Sequence, residues 1–392
     1  MNKGYLINMG METRNKTIDV MKGISICLMV VGHSGAPKSL TQFIYLFHMP
    51  LFIMASGYFW KESNTENLRK FILKKIRKLW LPYVGVVSIY ATFHNVLYRL
   101  YVYTDDTTIL QYNPDFNLIG LWNKTKVLKT ILLAFIFRDD GTTQLAGPMW
   151  FVGCLFQTII LYACAEYVLK KIKLYNNLSQ FGAAVFFLMT GWYCSVHGLN
   201  LWGMARAMSC YSIFHLGRCI GKNDKKLERN AILFRGGVGN IILLILTGRV
   251  SLALASHVYE NPIILVIESL AGWYFIYAVA HCVTNINRQF ISIGLQLISR
   301  KAIWILALHL LAFKVINWIG TLMYHHPKCM IAGYFTSYSH IGYWWIAYSV
   351  AGIVLPLLIA CIFEKMLLFF KQQENIVLFN IENIVQLGKS EN

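Results

Sequence analysis

The sequence predicts an all-α fold, a polytopic membrane bundle of about ten transmembrane helices with both termini on the cytoplasmic side. Three observations carry this. Of the 392 residues, 56% are hydrophobic and only 14% charged. Apolar segments of about 18–22 residues recur along the chain, each able to cross a hydrocarbon core of ~30 Å. Most of the 36 Lys and Arg fall in bursts between apolar runs, as they do in loops that face the cytoplasm. The alternating pattern of a membrane barrel is absent.

In chain order, the expected spans are 18–36, 42–60, 79–99, 147–169, 180–198, 207–221, 231–249, 262–283, 302–321 and 342–364. The first apolar run starts near Ile18 and carries Asp19 and Lys22, unlike the plain core of an export signal, so it is expected to stay as a span. The basic bursts include 61–78 and 218–235 on the expected inner side. Segment 101–146 falls outside and contains VLKTILLAFIF, an apolar piece too short to span and suited to an interfacial or re-entrant helix. No internal repeat is visible. The net charge of +18 comes with no nucleic-acid-binding motif, and membrane lipid is the surface it suits. The nine cysteines lack CxxC spacing and mostly lie in apolar runs, as buried thiols do. Nothing in the spacing suggests a metal; His325 and His326 read as solvated loop residues.

The misplaced polar residues concentrate in the first two spans. Asp19, Lys22 and His33 lie in the first and His48 in the second. An ionisable residue at membrane depth costs a few kcal/mol or more, which makes function the default reading. Lys22 and His33 are eleven residues apart, so on a helix they share a face within about 20° and stand roughly 16 Å apart along the axis. Asp19 lies one turn before Lys22, within pairing reach. One face therefore offers an acid–base pair near the inner end and an imidazole near the outer end. Gly32 and Gly35 thin the helix beside that imidazole. His48 reaches a similar depth on the second span, and Pro50 breaks the backbone ladder two residues on. Two helix-packing histidines, hydrogen-bonded to their neighbours, are the alternative.

Further along, Arg69, Lys70, Lys74, Lys75, Arg77 and Lys78 form a cytoplasmic cluster. It suits either a membrane anchor or a polyphosphate mouth. Trp150 and Phe151 open the fourth span as an aromatic belt or as a stacking wall for a sugar. His309 lies about two turns into the ninth span as a packing residue or a polar substrate contact, and Lys314 is expected to face the bundle interior. Asp139 and Asp140 are further candidates for contact with an acceptor.

These residues carry a resemblance. R-x-x-x-I-D-x-x-K-G from Arg14 to Gly23, followed by His33, resembles the opening signature of the acyltransferase 3 family of integral membrane acyltransferases. FHMPLFIMASGYFW is similar to the second helix of its fucose 4-O-acetylase-like branch. KKIRKLWLPY, GPMWFVGCLF, FHLGRCIG and SRKAIWILALH resemble later family segments in the same order. Many members have Arg where this chain has Lys22, which keeps the charge but lacks the planar fork. The resemblance implies an acyltransferase domain over 14–365 followed by a cytoplasmic tail, 366–392. It further implies transfer of an acyl group, usually acetyl from acetyl-CoA, to a hydroxyl of a cell-surface or lipid-linked glycan in a bacterial cytoplasmic membrane.

On that reading His33 is the general base or a transient acyl carrier, with Lys22 and Asp19 below it. Arg14, Lys74 and Arg77 meet the CoA, while His48, Trp150, Phe151 and His309 meet the acceptor. A glycan transporter or flippase is the alternative, since span number and buried ionisable residues fit that class equally well. A transporter built from repeats would carry its polar residues in matching halves, whereas here they gather in the first hairpin.

Overall fold

The computed structural model describes residues 15–137, 144–223, 261–285 and 289–390, together with positions 239, 241, 254, 257 and 259. For 371–390 it describes the backbone alone. Among the described residues there is no strand, and the chain is a helical bundle.

The first hairpin is α1 (Lys16–His33) and α2 (Lys38–Tyr58). The Asn15 side chain caps α1 by accepting from the Ile18 amide, and Asp19 in the first turn complements the helix dipole. Ser34 ends α1, and Gly35 at φ +75° reverses the chain in a conformation that favours glycine. A side chain at Gly35 would also collide with Ser339. After α3 (Leu68–Lys75), the third expected span is built from the end of a π-helical turn at Ile76–Trp80, α4 (Leu81–Thr92) and α5 (His94–Arg99). Pro82 opens α4 and cannot donate to the Lys78 carbonyl, and the wide turn lies directly before it.

The short apolar piece forms α6 (Lys124–Phe135), a 12-residue helix packed on α4. Then come α7 (Trp150–Lys171), α8 (Asn177–Val196) and α9 (Met204–Lys222). The second half holds α10 (Pro262–Asn285), α11 (Gln289–Arg300), α12 (Ala302–Met323) and α13 (Trp344–Ser390). The last helix runs unbroken through the expected tail.

Among the described residues five helical stretches are long and apolar enough to cross a membrane: Lys38–Tyr58, Gln144–Lys171, Pro262–Asn285, Ala302–Met323 and Trp344–Phe370. The remaining expected spans are shorter or more polar. α1 carries Asp19, Lys22 and His33, and α9 carries Arg206, His215, Arg218 and Lys222. The seventh expected span, 231–249, lies outside the described residues apart from isolated positions.

α1 sits at the centre and touches α2, α10, α11, α12 and α13. On its other side α2 is pressed against α9 at Gly57, Gly217 and Gly221. At each of these glycines an added Cβ would run into the facing backbone, at Phe214, Met54 and Tyr58 respectively. Small residues permit this close approach where lipid supplies no hydrophobic drive.

Candidate active site

His33 is the last residue of α1, and its Nδ1 lies 3.0 Å from Nε2 of His309 on α12. The two rings are 5.2 Å apart, tilted by 32°. The Phe335 ring lies parallel to His33 at 6.0 Å, and Tyr45 meets it edge-on at 6.3 Å. The hydrogen bonds fix the proton positions. His309 Nδ1 lies 2.9 Å from the Ile305 carbonyl, which can only accept, so that nitrogen carries the hydrogen. In the neutral ring His309 Nε2 then holds a lone pair and accepts from His33 Nδ1–H. The lone pair of His33 is thereby fixed at Nε2. His309 and His48 are buried, while His33 is half-buried.

The structure places His48 behind Tyr45, whose ring lies 5.2 Å from it and whose hydroxyl donates to the Gly32 carbonyl. His48 spends its Nδ1 on the Ile44 carbonyl at 2.8 Å. The direct partner of His33 is therefore His309 on a distant helix, with Tyr45 standing between His33 and His48. Lys314, one helical turn beyond His309, faces inward as its cost in lipid requires. Its ammonium donates to the Ala332 and Gly333 carbonyls, both at 2.8 Å. Asn317 donates to the Ile331 carbonyl and accepts from the Ser337 amide. Together they fasten the segment that lays Phe335 on His33. The Asn317 and Lys314 side chains thus support the imidazole pair without touching it.

At the other end of α1, Lys22 pairs with Asp19 at 3.3 Å and lies over the Phe59 ring at 5.1 Å. Both sit on the same helix as His33, with ten residues between the ammonium-bearing and imidazole-bearing positions. Lys74 and Arg77 are exposed on α3 and the π-helical turn. Between them Lys75 is half-buried against Phe71. Burial pushes its ammonium down to about 8, with Lys78 and Lys74 adding to the effect. Arg14, Asp139 and Asp140 lie outside the described residues. Trp150 has the Arg206 guanidinium over its ring at 4.6 Å, whereas Phe151 is buried against Phe52 at 5.7 Å. His325 is exposed, while His326 lies 3.3 Å from the Tyr338 hydroxyl. Among the described residues no cluster of His, Cys, Asp or Glu could hold a metal ion.

Two features escaped the sequence reading. The first is an ionic cluster on the Lys22 end. Arg218, 2% exposed, pairs with Glu166 at 3.2 Å and Glu62 at 3.0 Å and also donates to Tyr162, Tyr175 and Gln180. Lys170 joins Glu166, and Lys222 joins Glu62 at 2.7 Å. The hydrogen bond from Lys222, reinforced by its charge and that of Arg218, holds the Glu62 carboxyl below the usual range. Glu166 and Arg218 lie in the apolar runs of α7 and α9, and each was legible as an ionisable residue at depth. The second is Glu268, wholly buried in α10 with no hydrogen-bond partner among the described residues for either carboxylate oxygen. The acidic residue within PIILVIESL was a signal of the same kind.

These elements define a multi-pass helical membrane protein with an imidazole pair at one end of the bundle and an ionic cluster at the other. The family described as an acyltransferase domain matches residues 15–365. The chain belongs to this family, and it is a membrane acyltransferase. No curated protein and no solved structure matches it.

Proposed function

We propose that the protein moves a short acyl group, acetyl in the fucose 4-O-acetylase-like reading, from acyl-CoA to a hydroxyl of a cell-surface or lipid-linked glycan. The observation that carries this is the His33–His309 hydrogen bond, which commits the His33 lone pair to Nε2 on the half-buried ring. In the reaction His33 Nε2 takes the hydroxyl proton as the oxygen attacks the thioester carbonyl. The C–O ester bond forms, the C–S bond breaks, and the proton passes to the departing CoA thiolate. His309 shares the positive charge that develops on His33 through the bond between them. The same lone pair also suits the transient acyl-carrier role.

Lys74, Lys75 and Arg77, with Lys22 deeper, supply cations for the CoA phosphates. The basic bursts support a cytoplasmic position for these residues, on the side where CoA is available. About 16 Å of helix between Lys22 and His33 leaves the pantetheine arm to carry the thioester to the imidazole.

The test follows acyl-CoA consumption and acyl-glycan formation by the purified full-length protein and by His33→Ala. General acid–base catalysis contributes about 10²–10⁴-fold, and a loss of that size is expected with CoA binding retained. Turnover by His33→Ala at the wild-type rate would remove His33 from the chemistry.

A further inference from the structure

A second recessed site lies beside the wall that Trp150 forms. It is a cavity of about 180 Å³, smaller than the ~300–1,000 Å³ pockets that take drug-sized ligands, and of a size for one sugar unit. Its apolar walls are Tyr83, Phe137 and Trp150, and its polar groups are Gln157, Asn200 and Arg206. Gly153 on α7 keeps it open, because a Cβ there would press on the Phe137 ring at 3.0 Å.

The polar inventory is lopsided. The amide nitrogen of Gln157 donates to the Trp202 carbonyl at 2.8 Å, which leaves its oxygen as an acceptor. The oxygen of Asn200 accepts from the Gly203 amide at 3.0 Å, which leaves its NH₂ as a donor. Arg206 brings a planar, cationic fork, and its buried Nε has no hydrogen-bond partner. Among the described residues no carboxylate lines the cavity to answer that charge. The guanidinium lies over the Trp150 ring at 4.6 Å, so the indole holds the fork in place without neutralising it.

The backbone beside the cavity is strained where the polar groups hold it. Leu201 and Trp202 have φ of +48° and +54°, and Gly203 follows at +81°. Gln157 and Asn200 are the side chains bonded to this left-handed segment. Strain of this kind persists where surrounding contacts impose it, and it gathers at ligand sites.

The cavity also belongs to the reacting end of the bundle. The segment Gln144–Met149 packs on α12, the helix of His309, and runs directly into Trp150.

We propose that this cavity binds an acidic sugar unit of the acceptor, with Arg206 gripping its oxyanion, carboxylate or phosphate, and the aromatic walls covering the ring. Gln157 and Asn200 then serve its hydroxyls as acceptor and donor. The inference rests on the glycan-acceptor reading, but its test needs no turnover.

The test is calorimetric binding to the purified full-length protein of glucuronate, glucose 6-phosphate, glucose and inorganic phosphate, each alone. At least tenfold tighter binding of one charged sugar over both glucose and inorganic phosphate is expected, and the tighter one identifies the oxyanion. Arg206→Gln is expected to remove that preference, while Arg206→Lys, which keeps charge but not the fork, retains part of it. Glucose bound as tightly as the charged sugars would overturn the proposal. So would inorganic phosphate bound equally well, or a preference unchanged in Arg206→Gln. The wild-type selectivity decides even if the variants fail to fold. A His33→Ala protein that binds the acidic sugar but still turns over at the wild-type rate would sink the catalytic reading and leave this one standing.

Discussion

The two ends of the α1 helix are built on opposite electrostatic plans. Around His33 the neighbours are imidazole and aromatic rings: His309, Tyr45 and Phe335. Around the Lys22 end the groups are ionic, with Arg218, Glu166, Glu62, Lys170 and Lys222 tied together. A proton-transfer centre works with a neutral imidazole, which an apolar shell favours. A mouth for a polyphosphate works with fixed cations and a frame stiff enough to hold them. On the proposed reading, the bundle separates the place where charge is gripped from the place where a proton is moved.

Four measurements can break or sharpen that contrast. The largest effect is expected at His33, where alanine should cost about 10²–10⁴-fold in turnover. Next is Glu166→Ala, which leaves Arg218 buried with the more exposed Glu62 as its remaining carboxylate. Removing one member of a buried pair costs about 3–5 kcal/mol, and a matching fall in unfolding midpoint in detergent should be read against an unchanged pH profile of turnover. A wild-type midpoint would show that the cluster does not hold the ionic end together.

His309→Phe should lower kcat by roughly 10²-fold, at the modest end of acid–base contributions, because His33 loses the acceptor that fixes its tautomer. The acyl-CoA KM should stay the same; if KM moves while kcat does not, the pair belongs to binding.

The smallest effect is in pH. Lys75 has its ammonium lowered to about 8 from 10.5 by burial and by its cationic neighbours. It is charged below that value and loses its proton as pH rises through it. The acyl-CoA KM should therefore be flat below about pH 8 and climb above it, and Lys75→Met should abolish the climb. For stability the sign is reversed. A lysine lowered in the folded state weighs against folding below about 8, and stability recovers between about 8 and 10.5.

Much of the first hairpin was legible because its logic is local. The phase of Lys22, Asp19 and His33 follows from one helix, whereas Gly35, expected to thin that helix, turns the chain after the helix has ended at His33. The short outer helix at Lys124–Phe135 follows from its length and apolar content. The partner of His33 was not legible as such. His309 lies 276 positions away, and its role depends on how α12 docks against α1. The same holds for Arg218, whose carboxylates come from Glu62 and Glu166 on other segments. Trp150 was visible as an aromatic at a span end, but the guanidinium on its face comes from a helix after the strained turn at 201–203. Local pattern gives a residue's face and depth, and docking between elements gives its partner.

The glycine seam between α2 and α9 has a mechanical consequence. With backbone resting on backbone at Gly57, Gly217 and Gly221, those two helices have no slack in which to slip. Arg206 near the start of α9 and Arg218 near its finish therefore ride on one stiff beam braced along the hairpin that carries Tyr45 and His48. Any breathing that lets a bulky reactant in must open along some other joint of the protein.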